Sequence, residues 1–319
     1  MLDVHMARSV VDPFPMRGTV VTDAGLETWL LFQNGIDLPA FAAYPLVDSP
    51  ESRELLRGYY ERFVDIALSH RAGIQLEAPT WRANPDWAAT LGHGREELAR
   101  LIDLSIGLIS DVKADWTGTG PCILGGVVGP RGDGYRIDAT MTVDESAEYH
   151  SFQISRMAKA GAEVISAITL GYVEEAIGVA QAAQSAGLPA VISFTVETDG
   201  RLPSSMPLSE AIESVDAATG GYPVHYMINC AHPTHFDMVP VRDAPWTARI
   251  GGLRANASRL SHAELDVMTE LDDGDPEDLA ARYVALRSVM PALKVIGGCC
   301  GTDDRHVAAI ASAWHNAGA

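Results

Sequence analysis

The sequence predicts an α/β protein, a (β/α)8 TIM barrel, on three observations. Eight short apolar runs recur along the chain, helical patterns separate them, and 319 residues is a length that such barrels use as a single domain. The strand candidates are 19–25, 73–78, 122–129, 163–169, 190–196, 225–230, 248–255 and 293–299. These runs are continuously apolar rather than alternating, as strands covered on both faces should be. A doubly wound open sheet is the alternative architecture.

The intervening helices carry start and stop signals. "SPESRELLRGYYERFVDIALSHRAG" opens on Ser49-Pro50 and is expected to end at Gly73. "TVDESAEYHSFQISRMAKAGA" has Thr142 as N-cap, Glu145 three residues on, and Gly161 as its stop. "YVEEAIGVAQAAQSAGLP" and "DPEDLAARYVALRSVMPA" follow the same logic. No internal repeat, low-complexity tract or Pro/Gly/Ser-rich linker interrupts the pattern. The expected organisation is a short leader over 1–18 and one barrel over 19–319.

Composition excludes several partners. Hydrophobic residues make up 47%, enough for a large core, and 23 Lys plus Arg against 42 Asp plus Glu give a net charge of -19. Nucleic acid and anionic membrane both need a basic footprint, so neither is expected as a partner. No run of about 18 apolar residues is present to span a membrane. The N-terminal stretch carries Asp3 and lacks a long apolar region, unlike a signal peptide, so a cytoplasmic, reducing location is the default. There, clustered cysteines point to metal or catalysis rather than disulfides.

Three of the four cysteines fall at the C-terminal ends of strands, where barrel enzymes carry their chemistry. Cys230 closes the sixth, and Cys299 and Cys300 close the eighth. Cys122 begins its strand and is expected to be an inert thiol at the opposite rim. Neighbouring strand residues face opposite ways, so Cys299 and Cys300 can face one point only if the chain bends. Gly297 and Gly298 are expected to permit that bend, with Gly301 freeing the exit. Three thiolates make a zinc site with one open position, which marks chemistry rather than bracing. A water there would be a poor acid, whereas a fourth thiolate would stay nucleophilic, so the chemistry that fits is alkyl transfer to sulfur.

"GGCCGTD" (297–303) with "INCAHP" (228–233) resembles the zinc-dependent homocysteine S-methyltransferases, which include the betaine-using enzymes. "TDAGLET" (22–28), "GGVVGPRGDGY" (125–135) and "VISFTV" (191–196) are similar to that family's first-strand motif, Gly-Pro loop and fifth strand. The resemblance runs over most of the chain. It implies Zn2+ held by Cys230, Cys299 and Cys300, with a thiol acceptor in the fourth position. That thiol would be methylated by a sulfonium or quaternary ammonium donor, and homocysteine would give methionine. Asp23 matches the family aspartate near the amino-acid end of the acceptor, within the motif that also holds Gly25. Asn229 precedes Cys230 as in the family and could orient the site.

The match is incomplete at one position. Where the family carries a Glu at the end of the fourth strand, this chain reads "SAITLGYVEEA", with Ile168 in its place. Either Glu27 or Glu77 supplies the missing charge, or the acceptor is a thiol without homocysteine's amino group. Aromatic faces attract a sulfonium or quaternary ammonium group, and Trp29, Tyr44, Trp81 and Trp87 are the candidates for holding the donor. His232, His235 and His306 lie near the cysteines in sequence and keep a zinc hydrolase or lyase as a rival class. A non-catalytic zinc-binding barrel is another. Helical faces could pair into an oligomer, but no heptad run marks an interface.

Overall fold

The computed structural model describes residues 11–15, 18–240 and 242–318. Eight parallel strands close on themselves in sequence order. They are β1 (Val20–Val21), β2 (Gly73–Glu77), β3 (Cys122–Val128), β4 (Val164–Leu170), β5 (Ala190–Phe194), β6 (His225–Asn229), β7 (Ile250–Ala255) and β8 (Val295–Gly298). β1 pairs with both β2 and β8, which completes the ring. All eight expected strands are present, and the first and last are shorter than their apolar runs.

The helices stop where local chemistry stops them. Ser49 accepts from the Ser52 backbone and Pro50 occupies the first turn of the helix Pro50–Ser69. That helix does not run to Gly73: the chain turns at Arg71 in the left-handed region (φ 52°), and Gly73 is the first residue of β2. Glycine is needed at 73 because a Cβ would press on Pro121 at 2.7 Å. Thr142 and Glu145 form a reciprocal capping box, and Gly161 (φ 106°) ends the helix Val143–Ala160.

Alternate strand residues face the barrel interior, and their character changes with height. At the N-terminal end Val20, Ile123, Val164, Val191, Met227 and Val295 form one apolar layer, closed from below by Phe14. Phe14 belongs to the segment expected as a leader, so part of that segment seals the barrel. Residues 1–10 and 16–17 of it lie outside the described residues. Two residues further along β4 to β6 the interior turns polar, with Ser166, Ser193 and Asn229, each fully buried. Gln75 and Glu77 on β2 and Arg254 on β7 are buried as well. The larger apolar core lies outside, between strands and helices. No helix of the described residues is long and apolar enough to cross a membrane.

Candidate active site

The polar end of the barrel opens into a pocket lined by Asp23, Glu27, Glu77, Ile168, Arg254 and the three strand-end cysteines. The sulfurs of Cys230, Cys299 and Cys300 all lie within 4.8 Å of one another. Cys230 Sγ and Cys299 Sγ are 2.8 Å apart. β7 separates the two contributing strands, so backbone geometry has to aim the side chains. Cys230 does so with a left-handed backbone (φ 57°), a conformation that costs a non-glycine residue about 1 kcal/mol or more. Its N–H donates to the Arg254 carbonyl at 3.0 Å.

The tandem pair is positioned differently from the sequence expectation. β8 runs extended through Gly297 and Gly298, and neither bends the chain. Both must be glycine because of close packing: a Cβ on Gly297 would strike Thr22 Oγ1, and one on Gly298 would strike Thr302 Oγ1. The bend comes one residue later. Thr302 donates to the Cys299 carbonyl through its N–H (3.1 Å) and its hydroxyl (2.6 Å), and Gly301 takes φ 78°. Cys299 therefore keeps the inward face of β8, and the turn carries Cys300 round beside it. Gly25 lets the loop after β1 press on this turn, since a Cβ there would sit 2.5 Å from the Cys299 carbonyl oxygen.

The thiols share charge unevenly. Hydrogen bonds from Cys230 and Cys300 hold Cys299 well below the ordinary thiol range, and the Arg254 guanidinium adds to this. Cys230 and Cys300 are pushed up in turn. A metal bound among the three sulfurs would displace their remaining protons to solvent. Cys122 stands apart at the start of β3, buried, with its thiol pushed up to about 11 by that burial.

Around the sulfurs sits a buried hydrogen-bond frame. Asn229 accepts from the Thr169 N–H (2.8 Å) and the Ser193 hydroxyl (2.7 Å), and donates to Thr169 Oγ1 (2.9 Å). Its amide nitrogen lies 3.8 Å from Cys299 Sγ. These bonds hold Thr169 at φ 65°, an outlier for a β-branched residue. Arg254 lies at the centre of a second frame. It pairs with Asp23 Oδ1 at 2.7 Å, pairs with Glu77 Oε2, and donates to the Gly298 carbonyl at 2.9 Å. Asp23 also accepts from the Tyr59 hydroxyl at 3.3 Å, and Glu77 accepts from Gln75 at 2.7 Å. Glu77 is thus a buried ion-pair partner of Arg254 and not a free charge for an acceptor. Sequence reasoning missed Arg254, although an arginine near the C-terminal end of the apolar run "ARIGGLRA" was a signal for it.

Tyr135 was missed too. Its hydroxyl lies 3.0 Å from Cys230 Sγ and 3.9 Å from Cys300 Sγ, and its ring stacks on His262 at 4.2 Å. His262 in turn meets the Cys230 carbonyl at 2.7 Å through Nε2. The histidines near the cysteines in sequence are engaged elsewhere. His232 bonds Thr234, His235 bonds the Arg259 carbonyl, and His306 bonds Asp303 and the Asp273 carbonyl. Among the described residues the metal-competent cluster at this site is the cysteine triad alone.

Of the aromatic candidates only Trp81 lines the pocket. The Arg82 guanidinium lies 4.0 Å over both Trp81 and Trp87, so these rings already hold a cation. Trp29 is covered by Arg62 and packs on Tyr59, and Tyr44 bonds His93. The other aromatics that line the pocket are Tyr135, which reaches the sulfurs, and Phe41. Both also line an adjoining groove with Phe32, Met268, Asp266 and Glu270.

The chain is similar to known proteins over nearly its whole length. A sequence model described as homocysteine S-methyltransferase matches residues 20–314. A maize (Zea mays) relative named Homocysteine S-methyltransferase 4 is 24% identical over 324 aligned positions, covering 94% of this chain and 90% of that one. The oxidised form of the homocysteine methyltransferase MmuM from Escherichia coli superposes with a TM-score of 0.69 at 22% identity. Its metallated form gives 0.68 at 20%. Both alignments cover 93% of this chain and 96% of MmuM. A closed barrel, sulfurs gathered at its mouth and a match spanning all eight strands agree: the chain is an enzyme of the homocysteine S-methyltransferase family.

Proposed function

We propose that the enzyme moves a methyl group from a sulfonium or quaternary ammonium donor to the thiolate of a small thiol, homocysteine giving methionine in the first instance. The observation that carries this reading is the convergence of three cysteine sulfurs from two strand ends on an open pocket. The donor set fits zinc: three soft cysteine sulfurs and, among the described residues, no fourth protein ligand in the cluster. Cys230, Cys299 and Cys300 would hold the ion. Bound there, it would keep the acceptor sulfur deprotonated at neutral pH.

The protein's own groups supply positioning. Arg254, neutralised by Asp23 and Glu77, backs the wall beside Cys299 and stiffens the strand ends. Asn229 locks the β4 and β6 ends against each other. The acceptor sulfur attacks the donor methyl carbon in line. The new S–C bond forms as the old bond breaks, and its electron pair leaves on a neutral thioether or amine. Orientation of this kind can supply up to about 7–11 kcal/mol of the barrier. The adjoining groove suits a cationic donor, because Phe32, Phe41 and Tyr135 give it aromatic faces and Asp266, Glu270 and Asp272 give it negative charge. Three reduced thiols suit a reducing compartment such as the cytoplasm.

The test is zinc analysis together with a substrate panel. Zinc-loaded protein is incubated with homocysteine and simpler thiols, each with S-methylmethionine, S-adenosylmethionine or glycine betaine. The expected result is one zinc per chain and methylated thiol from at least one pair. Turnover of an ester or amide with no thiol present would favour a hydrolase instead. Metal binding with no turnover of any pair would favour a storage or sensing barrel.

A further inference from the structure

Three carboxylates line the pocket, and two of them are spent. Asp23 gives one oxygen to Arg254 and the other to the Tyr59 hydroxyl. Glu77 gives one to Gln75 and the other to Arg254. Arg254 therefore has little left for a substrate, and neither acid is free to hold a cation. Glu27 is different. Among the described residues no side chain donates a hydrogen bond or ion pair to its carboxylate. It stands on the short helical turn Leu26–Thr28, which follows β1 and packs against Cys299 through Gly25. Ile168 lines the same pocket from β4, three strands round the ring from β1.

We infer that Glu27 is the specificity-determining residue for the acceptor, receiving the ammonium of an amino-acid thiol from the β1 side of the pocket. The inference rests on the methyl-transfer reading above and names the class of thiol: one with a protonated amine, not a plain mercapto acid. Glu27 is half-buried in the pocket wall, and a carboxylate there with no side-chain partner is stabilised by a cationic ligand. Burial, with the nearby Cys299 and Asp23 adding to it, pushes the Glu27 carboxyl up to about 7, and an ammonium beside it would favour the anion. The arrangement also accounts for Ile168. An acceptor turned toward Glu27 leaves its hydrocarbon side against the β4 end, where an apolar side chain belongs.

The experiment is a binding titration of the full-length protein loaded with cobalt(II), whose thiolate charge-transfer absorption reports a new sulfur ligand without any methyl transfer. Homocysteine and 4-sulfanylbutanoate, which lacks only the amino group, are titrated against wild type, Glu27→Gln, and Glu27→Gln with Ile168→Glu. The account expects wild type to prefer homocysteine. Glu27→Gln should weaken homocysteine by about tenfold or more, as loss of a charged hydrogen bond does. It should leave 4-sulfanylbutanoate unchanged or tighter, which also shows that the variant is folded. Adding Ile168→Glu should return much of the preference from the opposite wall. Equal weakening of both thiols, no change in either, or a wild-type preference for 4-sulfanylbutanoate would overturn the assignment while leaving the methyltransferase reading intact. If neither thiol alters the cobalt spectrum of wild type, the thiol-at-metal reading fails and this inference fails with it.

Discussion

The two ends of one barrel are built from opposite materials. At the N-terminal end the interior is a dry layer of Val20, Ile123, Val164, Val191, Met227 and Val295 under Phe14. At the other end, reached along the same strands, it holds an arginine, two paired carboxylates, an asparagine and three cysteines. The apolar end needs no partners and can supply stability by packing alone. The polar end is stable only while each group keeps its partner, which is why its backbone is strained at Thr169 and Cys230. Stability and chemistry are divided by height along the strands, a few residues apart in sequence.

Removing Arg254 should break that division most severely. Arg254→Met leaves Asp23 and Glu77 buried with no cation, and loss of one member of a buried ionic group costs about 3–5 kcal/mol. Denaturant unfolding should show this loss at pH 8 and a smaller one at pH 5, where a carboxylate can take up a proton. A loss independent of pH would mean that the arginine acts through packing instead.

The bottom end has its own titratable weak point. His225 is buried against Phe14, with ring centroids 4.6 Å apart, and its Nε2 has no partner. Burial lowers its pKa to about 3, with Lys294 and Arg249 contributing, against an ordinary value of 6.5. The unfolded chain therefore takes up a proton that the folded chain refuses between about pH 6.5 and pH 3. Stability linked to this group is intact above pH 6.5 and falls as pH drops through that window, at up to about 1.4 kcal/mol per unit. His225→Gln should flatten the acid limb of the stability curve between pH 6.5 and 4.5 without altering the acceptor KM. Parallel curves for the two proteins would show that His225 is not the titrating group.

Tyr135→Phe should give the smallest effect. The ring keeps its stack on His262 and only the hydroxyl beside Cys230 is lost, a change worth about 1 kcal/mol in unfolding free energy. A loss of several kcal/mol would mean that the stack itself depends on the hydroxyl.

The same contrast explains what could be read from the sequence. The barrel was legible because its wall is uniform: eight continuous apolar runs separated by capped helices can close in few other ways. Cys230, Cys299 and Cys300 were legible because strand ends are where barrels gather function. What escaped was the pairing inside the polar end. Glu27 and Glu77 look equivalent as letters, and only the position of Arg254 on β7 separates a spent carboxylate from a free one. Gly297 and Gly298 were misread as a hinge because sequence shows a missing side chain without showing what would collide with it. Trp29, Tyr44 and Trp87 were overrated as donor contacts because their partners, Arg62, His93 and Arg82, lie elsewhere in the chain or on a ring face that no spacing reveals.

The account stands on sulfur coordination, and zinc X-ray absorption on the purified enzyme measures that directly. It predicts three sulfur ligands at about 2.3 Å in the resting protein and a fourth at the same distance once homocysteine is added. A spectrum with fewer than three sulfurs, or one that homocysteine leaves unchanged, would contradict it.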